Sequence, residues 1–223
     1  MLTSLLDDGI VNHQRQLSLR PLRPTRLALL SVGTAALVLL AGCGSAATPA
    51  AQGPGGAVGV SAAATPADAI LQQLGLPGKD AKQVVEALDQ KTGERDRDVL
   101  ASVRYDTLVL KEGGREASLP IPGGKFYLSV APYVEQTHDC YFHSLTTCKG
   151  ELAQKTVNVT IKDSTGKAIV DGPATTYANG FVGFWLPRDI SGTITVSYDG
   201  RSATSQISTT KDAPTCLTTL KLV

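Results

Sequence analysis

The chain carries no charged residue from Leu27 to Ala67, and this run decides how much of it can fold. Its first part, Leu27 to Gly42, is apolar and follows Arg15, Arg20, Arg23 and Arg26. A basic stretch, an apolar stretch and small residues at a cut together describe a secretory signal over residues 1–42. Gly33, Thr34 and several alanines suit a cleaved signal better than a permanent span. An uncleaved anchor helix is the alternative, and both place the rest of the chain outside the cytoplasm. The arginine-rich start is long, which leaves the true start codon open. Beyond Cys43 the residues are Ala, Gly, Pro, Ser and Thr, with little to bury. Residues 43–65 therefore read as an unstructured tether spanning roughly 27 Å. About 155 residues remain to fold, enough for one ordinary domain or a small domain with an extension.

Removing the signal's four arginines and two aspartates takes the formal net charge from +1 to −1. A near-neutral chain without a basic run argues against a nucleic-acid partner, which needs a concentrated positive face.

Residues 66–101 read as helical. Thr65 and Pro66 form a helix start, and Ile70, Leu71 and Leu74 recur at helical spacing before Gly75. A second helix is predicted from about Lys79 to Thr92, with Val84, Val85 and Leu88 as its apolar stripe and Gly93 as its end. The period then changes. Over 102–223, short β-rich runs alternate with turns. These runs are Leu108–Leu110, Phe126–Val130, Val157–Ile161, Phe181–Leu186, Ile194–Tyr198 before Asp199-Gly200, Gln206–Thr209 and Thr215–Leu222. Strands at this spacing predict an α+β chain: a short helical region, then an antiparallel β-sandwich-like domain. Segment 156–210 resembles Ig-like or transthyretin-like modules, a likeness of fold only. Trp185, the only tryptophan, is expected in the sandwich core.

The reactive side chains gather in one place. The mature chain has three cysteines beyond Cys43 and two histidines. Cys140, Cys148, His138 and His143 all fall within His138-Asp139-Cys140-Tyr141-Phe142-His143-Ser144-Leu145-Thr146-Thr147-Cys148. Eight positions separate the two cysteines, about 12 Å along a helix or roughly 26 Å along a strand. For them to act together the segment must fold back, and Ser144 to Thr147 offer small hydroxylated residues for that turn. If 138–142 is extended, His138 and Cys140 share a face, while His143 points elsewhere unless the turn begins there. Cys216 is distant in sequence, but a C-terminal strand beside 126–142 would bring it near. Three cysteines in an exported chain mean one disulfide and a free thiol, an intermolecular bond, or a three-sulfur site. A Cys140–Cys148 disulfide with Cys216 buried and inert is the plain alternative.

Three thiolates, or two with an imidazole, suit Cu(I) in low coordination; Zn(II) is the second candidate. A methionine-rich copper site is excluded, since Met1 is the sole methionine. The same thiols can form a disulfide, so a thiol-redox protein that reduces metals or exchanges disulfides is a second reading. A structural surface lipoprotein stapled by a disulfide is a third. No Gly-x-Ser-x-Gly turn or phosphate-binding glycine loop is present, so the chain is not expected to be an enzyme. Glu151 and Lys149 beside the cysteines are expected in solvent.

Two resemblances complete the reading. Leu40-Ala41-Gly42-Cys43 resembles a bacterial lipobox, which implies that Cys43 bears lipid and anchors the chain to the cell membrane. The segment from Thr137 to Leu152 resembles the signature of the CueP family of periplasmic copper-binding proteins. Phe126–Tyr133, Gly180–Arg188 and Pro214–Leu220 support that likeness, which covers roughly 68–223. It implies extracytoplasmic copper binding, copper resistance and copper supply to an exported cuproenzyme. The family's metal-binding cysteines fall on Cys140, Cys148 and Cys216, and His138 and His143 also lie on its pattern. The lipobox and tether depart from the soluble periplasmic form and imply action at the membrane surface. Whether the chain forms a homodimer stays open.

Overall fold

The computed structural model describes residues 65–223. The signal, Cys43 and all but the last residue of the tether lie outside those residues. Helix α1 spans Pro66–Gln73 and α2 spans Ala81–Asp89. Each opens on a reciprocal capping box, Thr65 with Asp68 and Asp80 with Gln83, which satisfies otherwise unpaired first-turn N–H groups. The helices end earlier than predicted, and a strand already begins at Val99, inside the span read as helical. Val99, Ala101 and Val103 alternate with less buried residues, so the local period there is two, not 3.6. No helix among the described residues is long and apolar enough to cross a membrane.

Ten strands follow, in three sheets. β1 (Val99–Val103), β2 (Thr107–Glu112) and β3 (Arg115–Pro120) form an antiparallel meander, with a turn at Gly113-Gly114. β4 (Lys125–Val130) lies between antiparallel β7 (Val182–Pro187) and the two-residue parallel strand β10 (Cys216–Leu217). β5 (Thr156–Asp163), β6 (Ala168–Thr175), β8 (Ser191–Tyr198) and β9 (Arg201–Ser208) form an antiparallel sheet in the order β6-β5-β8-β9. The prediction of two short helices and mostly antiparallel strands holds. β3 and β6 were not predicted: both are largely exposed and lack a clear apolar alternation.

β4 divides the molecule. From Phe126 to Val130 its residues are buried on both faces. Phe126, Leu128 and Val130 join Val157, Val159, Ile161, Val182, Leu186, Ile194 and Val196 in one core, between the four-stranded sheet and the β4 sheet. Tyr127 turns the other way, into a second core made by α1, α2, β1 and β2. Alternation along a strand enforces this split. The same alternation along β7 moves Trp185 out of the expected sandwich core. Trp185 is paired in register with Tyr127, its ring 4.7 Å away, and rests half-buried against the helix-side core. Its Nε1 donates to Glu86 of α2 at 3.1 Å. The indole needs a polar partner, and the helix face supplies one where an all-apolar sandwich interior would not.

Candidate metal centre

The cysteine segment is held from two sides. Val103 N–H donates to the His143 carbonyl at 2.9 Å, and Leu145 N–H donates to the Ala101 carbonyl at 2.8 Å, so 143–145 lies along the free edge of β1. On the other side Thr215 and Cys216 both donate to the Tyr141 carbonyl, at 3.0 and 3.2 Å. Thr215 Oγ1 accepts from His143 N–H at 3.0 Å and donates to the Val103 carbonyl at 2.9 Å. One threonine thus ties the segment to β1 and to β10 together. Residues Ser144 to Thr147 make the predicted reversal, closed by Cys148 N–H donating to the Ser144 carbonyl at 3.1 Å.

After the reversal, the chain is fixed by two glycines. Gly150 N–H donates to the Asn179 carbonyl at 2.6 Å. A Cβ on Gly150 would lie 2.6 Å from the Gly180 carbonyl oxygen, and Gly180 itself has φ +83°. Only two bare backbones approach this closely. Glu151, exposed as expected, accepts N–H bonds from Val134, Glu135 and Gln136 at 2.9–3.0 Å. It fixes the approach to His138, and those bonds, Gln136's foremost, hold its carboxyl below the usual range. Lys149 is exposed as expected.

All five predicted donors meet. Cys140, Cys148 and Cys216 are free thiols, and the Sγ atoms of Cys140 and Cys148 are 3.5 Å apart. Cys216 Sγ lies 3.7 Å from His143 Nδ1. Two overlapping groups result. His138, Cys140 and Cys148 have ligand atoms within 4.8 Å of one another, and so do His143, Cys148 and Cys216. A soft ion about 2.0–2.3 Å from each donor separates opposed donors by at most about 4.6 Å, close to the width of both groups. His143, Cys148 and Cys216 are buried, whereas His138 and Cys140 are half-buried. Apolar neighbours Ala131 and Phe181 pack against the sulfurs. The His143 ring is 4.5 Å from the Phe181 ring.

The sequence reading missed what holds His143. Its Nε2 lies 2.9 Å from Oδ1 of Asp89, the last residue of α2. Asp89 is fully buried and also accepts from Tyr127 Oη at 2.6 Å, Asn179 Nδ2 at 2.7 Å and Ser129 Oγ at 3.3 Å. Tyr127 and Ser129 reach it because they sit on the helix-facing side of β4. Tyr127 has room because the residue paired with Ser129 on β7 is glycine: a Cβ on Gly183 would sit 1.8 Å from the Tyr127 oxygen. Arg95 lies 3.8 Å from Asp89 and donates to the carbonyls of Leu88 and Cys148, linking the end of α2 to the cysteine loop. A signal for Asp89 did exist. It stands four residues after Val85 on the apolar stripe of α2, where a lone carboxylate has no business without a partner.

Burial pushes His143 down, but the Asp89 carboxylate outweighs it and holds the imidazole well above its ordinary pKa. Burial pushes Asp89 up, yet the His143 charge and the hydrogen bonds from His143, Tyr127 and Asn179 bring it below the usual range. Interaction with the Cys140 and Cys216 thiols, aided by His143, lowers Cys148 against the opposing cost of burial. Cys216 is pushed up by Cys140 and Cys148. The neighbouring thiols and His143 thus favour the thiolate form at the sulfur common to both groups. With Asp89 holding Nε2, the donor left to His143 is Nδ1, the atom facing Cys216.

The family described as periplasmic copper-binding protein CueP matches residues 83–221. A solved structure described as the crystal structure of S.CueP aligns with a TM-score of 0.69 and 44% sequence identity. It covers 73% of this chain and all of its own. No curated protein matches the chain.

Proposed function

Because the chain belongs to the CueP family of periplasmic copper-binding proteins, we propose that it takes up Cu(I) through Cys140, Cys148 and Cys216, with His138 and His143 completing the coordination. The family places copper binding outside the cytoplasm. The observation that carries the reading is the convergence of three sulfurs and two imidazoles, from segments far apart in sequence, into groups no wider than 4.8 Å. Sulfur donors in an apolar shell favour a soft monovalent ion, and Zn(II) is the competitor to exclude. In this reading the ion is cargo, sequestered or passed to an exported cuproenzyme, and the chain contributes to copper resistance as a binding protein rather than an enzyme. Cys43 and the Ala/Gly/Pro tether anchor it to the cell membrane, near where copper emerges. Residues 66–101 and 102–223 act as one binding unit, since α2 supplies Asp89 to a site built from β-segments. The Ig- or transthyretin-like character belongs, in this reading, to the two sheets that share the larger core. Oligomeric state, including a homodimer, is a matter for sedimentation.

The test is anaerobic mass spectrometry of the reduced protein titrated with Cu(I). Wild type is expected to bind copper and Cys148→Ser to lose it; undiminished binding by Cys148→Ser would overturn the assignment. One observation favours the thiol-redox reading as an accompanying chemistry. Cys140 and Cys148 are adjacent free thiols, and Cys148 has a lowered pKa. Their oxidation to a disulfide releases two electrons and two protons, enough to reduce two Cu(II) to Cu(I). Equilibration with glutathione buffers reads this bond directly. A disulfide that never opens would instead leave the structural-lipoprotein reading.

A further inference from the structure

The two donor groups differ in one respect that a single three-sulfur site does not require: they share only Cys148. The first, His138, Cys140 and Cys148, is half open. His138 and Cys148 line a cleft of about 1020 Å³, together with Thr146, Thr147, Arg95 and Asn179, whereas Cys140, Cys216 and His143 do not line it. His138 Nε2 is buried and makes no hydrogen bond. The second group, His143, Cys148 and Cys216, is buried throughout, and its histidine is fixed by Asp89. An ion arriving through the cleft meets the first group before the second.

We propose that one cuprous ion occupies two alternating positions, an outer capture position formed by His138, Cys140 and Cys148 and an inner retaining position formed by His143, Cys148 and Cys216, with Cys148 bound throughout. This rests on the Cu(I) reading above. Each position offers two thiolates and one imidazole, so the ion carries the same ligand charge before and after transfer. In the inward step the bonds to His138 and Cys140 break and those to His143 and Cys216 form. The Cys216 thiol and the His143 Nδ1–H each give up a proton as they bind; the released Cys140 thiolate takes one and the other leaves to solvent. Copper remains Cu(I), and no electrons move. Low coordination allows this exchange, because Cu(I) held by Cys148 and one other donor is already adequately bound while the rest change places. The unpartnered His138 is free to approach and leave; His143, clamped on its far nitrogen, is not.

The experiment uses the reduced full chain in wild-type, Cys140→Ser, Cys216→Ser and Cys148→Ser forms. Anaerobic mass spectrometry counts bound Cu(I), and long-range ¹H–¹⁵N spectra follow both histidine rings. Wild type binds one ion. Cys216→Ser strands it outside and shifts the His138 ring, Cys140→Ser strands it inside and shifts the His143 ring, and Cys148→Ser loses it. If wild type binds no Cu(I), the functional reading itself fails and the relay falls with it. If wild type binds one ion but the same ring responds in both Cys140→Ser and Cys216→Ser, the relay alone is overturned. Two ions bound to wild type at once also overturn it. Should a serine variant not fold, as judged by far-ultraviolet circular dichroism, stopped-flow transfer from a chromogenic Cu(I) chelator decides instead. His138→Ala should then slow uptake about tenfold and His143→Ala should speed release; equal effects of both on both rates would refute two positions.

Discussion

Replacing Asp89 with alanine tests how the inner half of the site is held. Asp89 is fully buried and serves His143, Tyr127, Asn179 and Ser129 at 2.9, 2.6, 2.7 and 3.3 Å, with Arg95 at 3.8 Å. Alanine removes one member of a buried ion pair and strands several donors at once. Breaking such a pair by removing one partner costs about 3–5 kcal/mol, and the lost hydrogen bonds are part of that figure rather than an addition to it. For a folded region of about 155 residues each kcal/mol lowers the melting temperature by about 2–4 °C, so a fall of about 6–20 °C is expected. The assay is thermal unfolding of the reduced, metal-free protein at pH 6, followed by circular dichroism. Asp89→Asn should lie between wild type and alanine, since the amide keeps one acceptor but turns a second donor on Tyr127 or Asn179. A shift below about 3 °C for alanine would refute the idea that this carboxylate is the keystone of the network.

The remaining expectations concern pH and backbone approach. The pKa of His143 is raised in the fold, so its contribution is complete below about pH 6.5 and fades as pH climbs through the higher folded value; that of Asp89 is lowered, so its contribution holds above about pH 3.9 and fades as pH falls through the lower folded value. The melting difference between wild type and Asp89→Ala should therefore be greatest between those limits and narrow on both sides, and a difference that grows steadily with pH would contradict it. Gly183→Val should push Tyr127 off Asp89 and cost about 1–3 kcal/mol in urea unfolding, because its Cβ would overlap the phenol oxygen. Gly150→Ala should displace the cysteine loop from Gly180, weakening copper binding with less effect on overall stability, as read by titration against a competing chelator. Glu151→Ala should raise hydrogen exchange at the amides of Val134, Glu135 and Gln136 while leaving the sheet amides protected.

Much of the fold was legible in local pattern. Capping residues at Thr65 and the stripe Val84, Val85, Leu88 marked the helices, and alternation at Val157–Ile161 and Ile194–Tyr198 marked central strands, because one face of each must be buried. β3 and β6 were not legible, because exposed strands are recruited by hydrogen bonding to a neighbour and need no apolar signature of their own. Trp185 was misplaced for a related reason: alternation gives the face of a strand, while which core lies on that face depends on the elements packed there.

The sequence by itself named the candidate donors, since soft sulfur and imidazole crowded into His138–Cys148 limit the chemistry whatever the fold, and it required this segment to double back if its two cysteines act together. Only the tertiary structure decided that Cys216 joins through a parallel strand on β4, that Cys148 is common to two groups, and that Asp89 from a helix ending some fifty residues earlier steadies His143. Pattern along a chain reports which side of an element is buried. Convergence of distant side chains depends on strand order, register and the few places, such as Gly150 against Gly180, where backbones can touch.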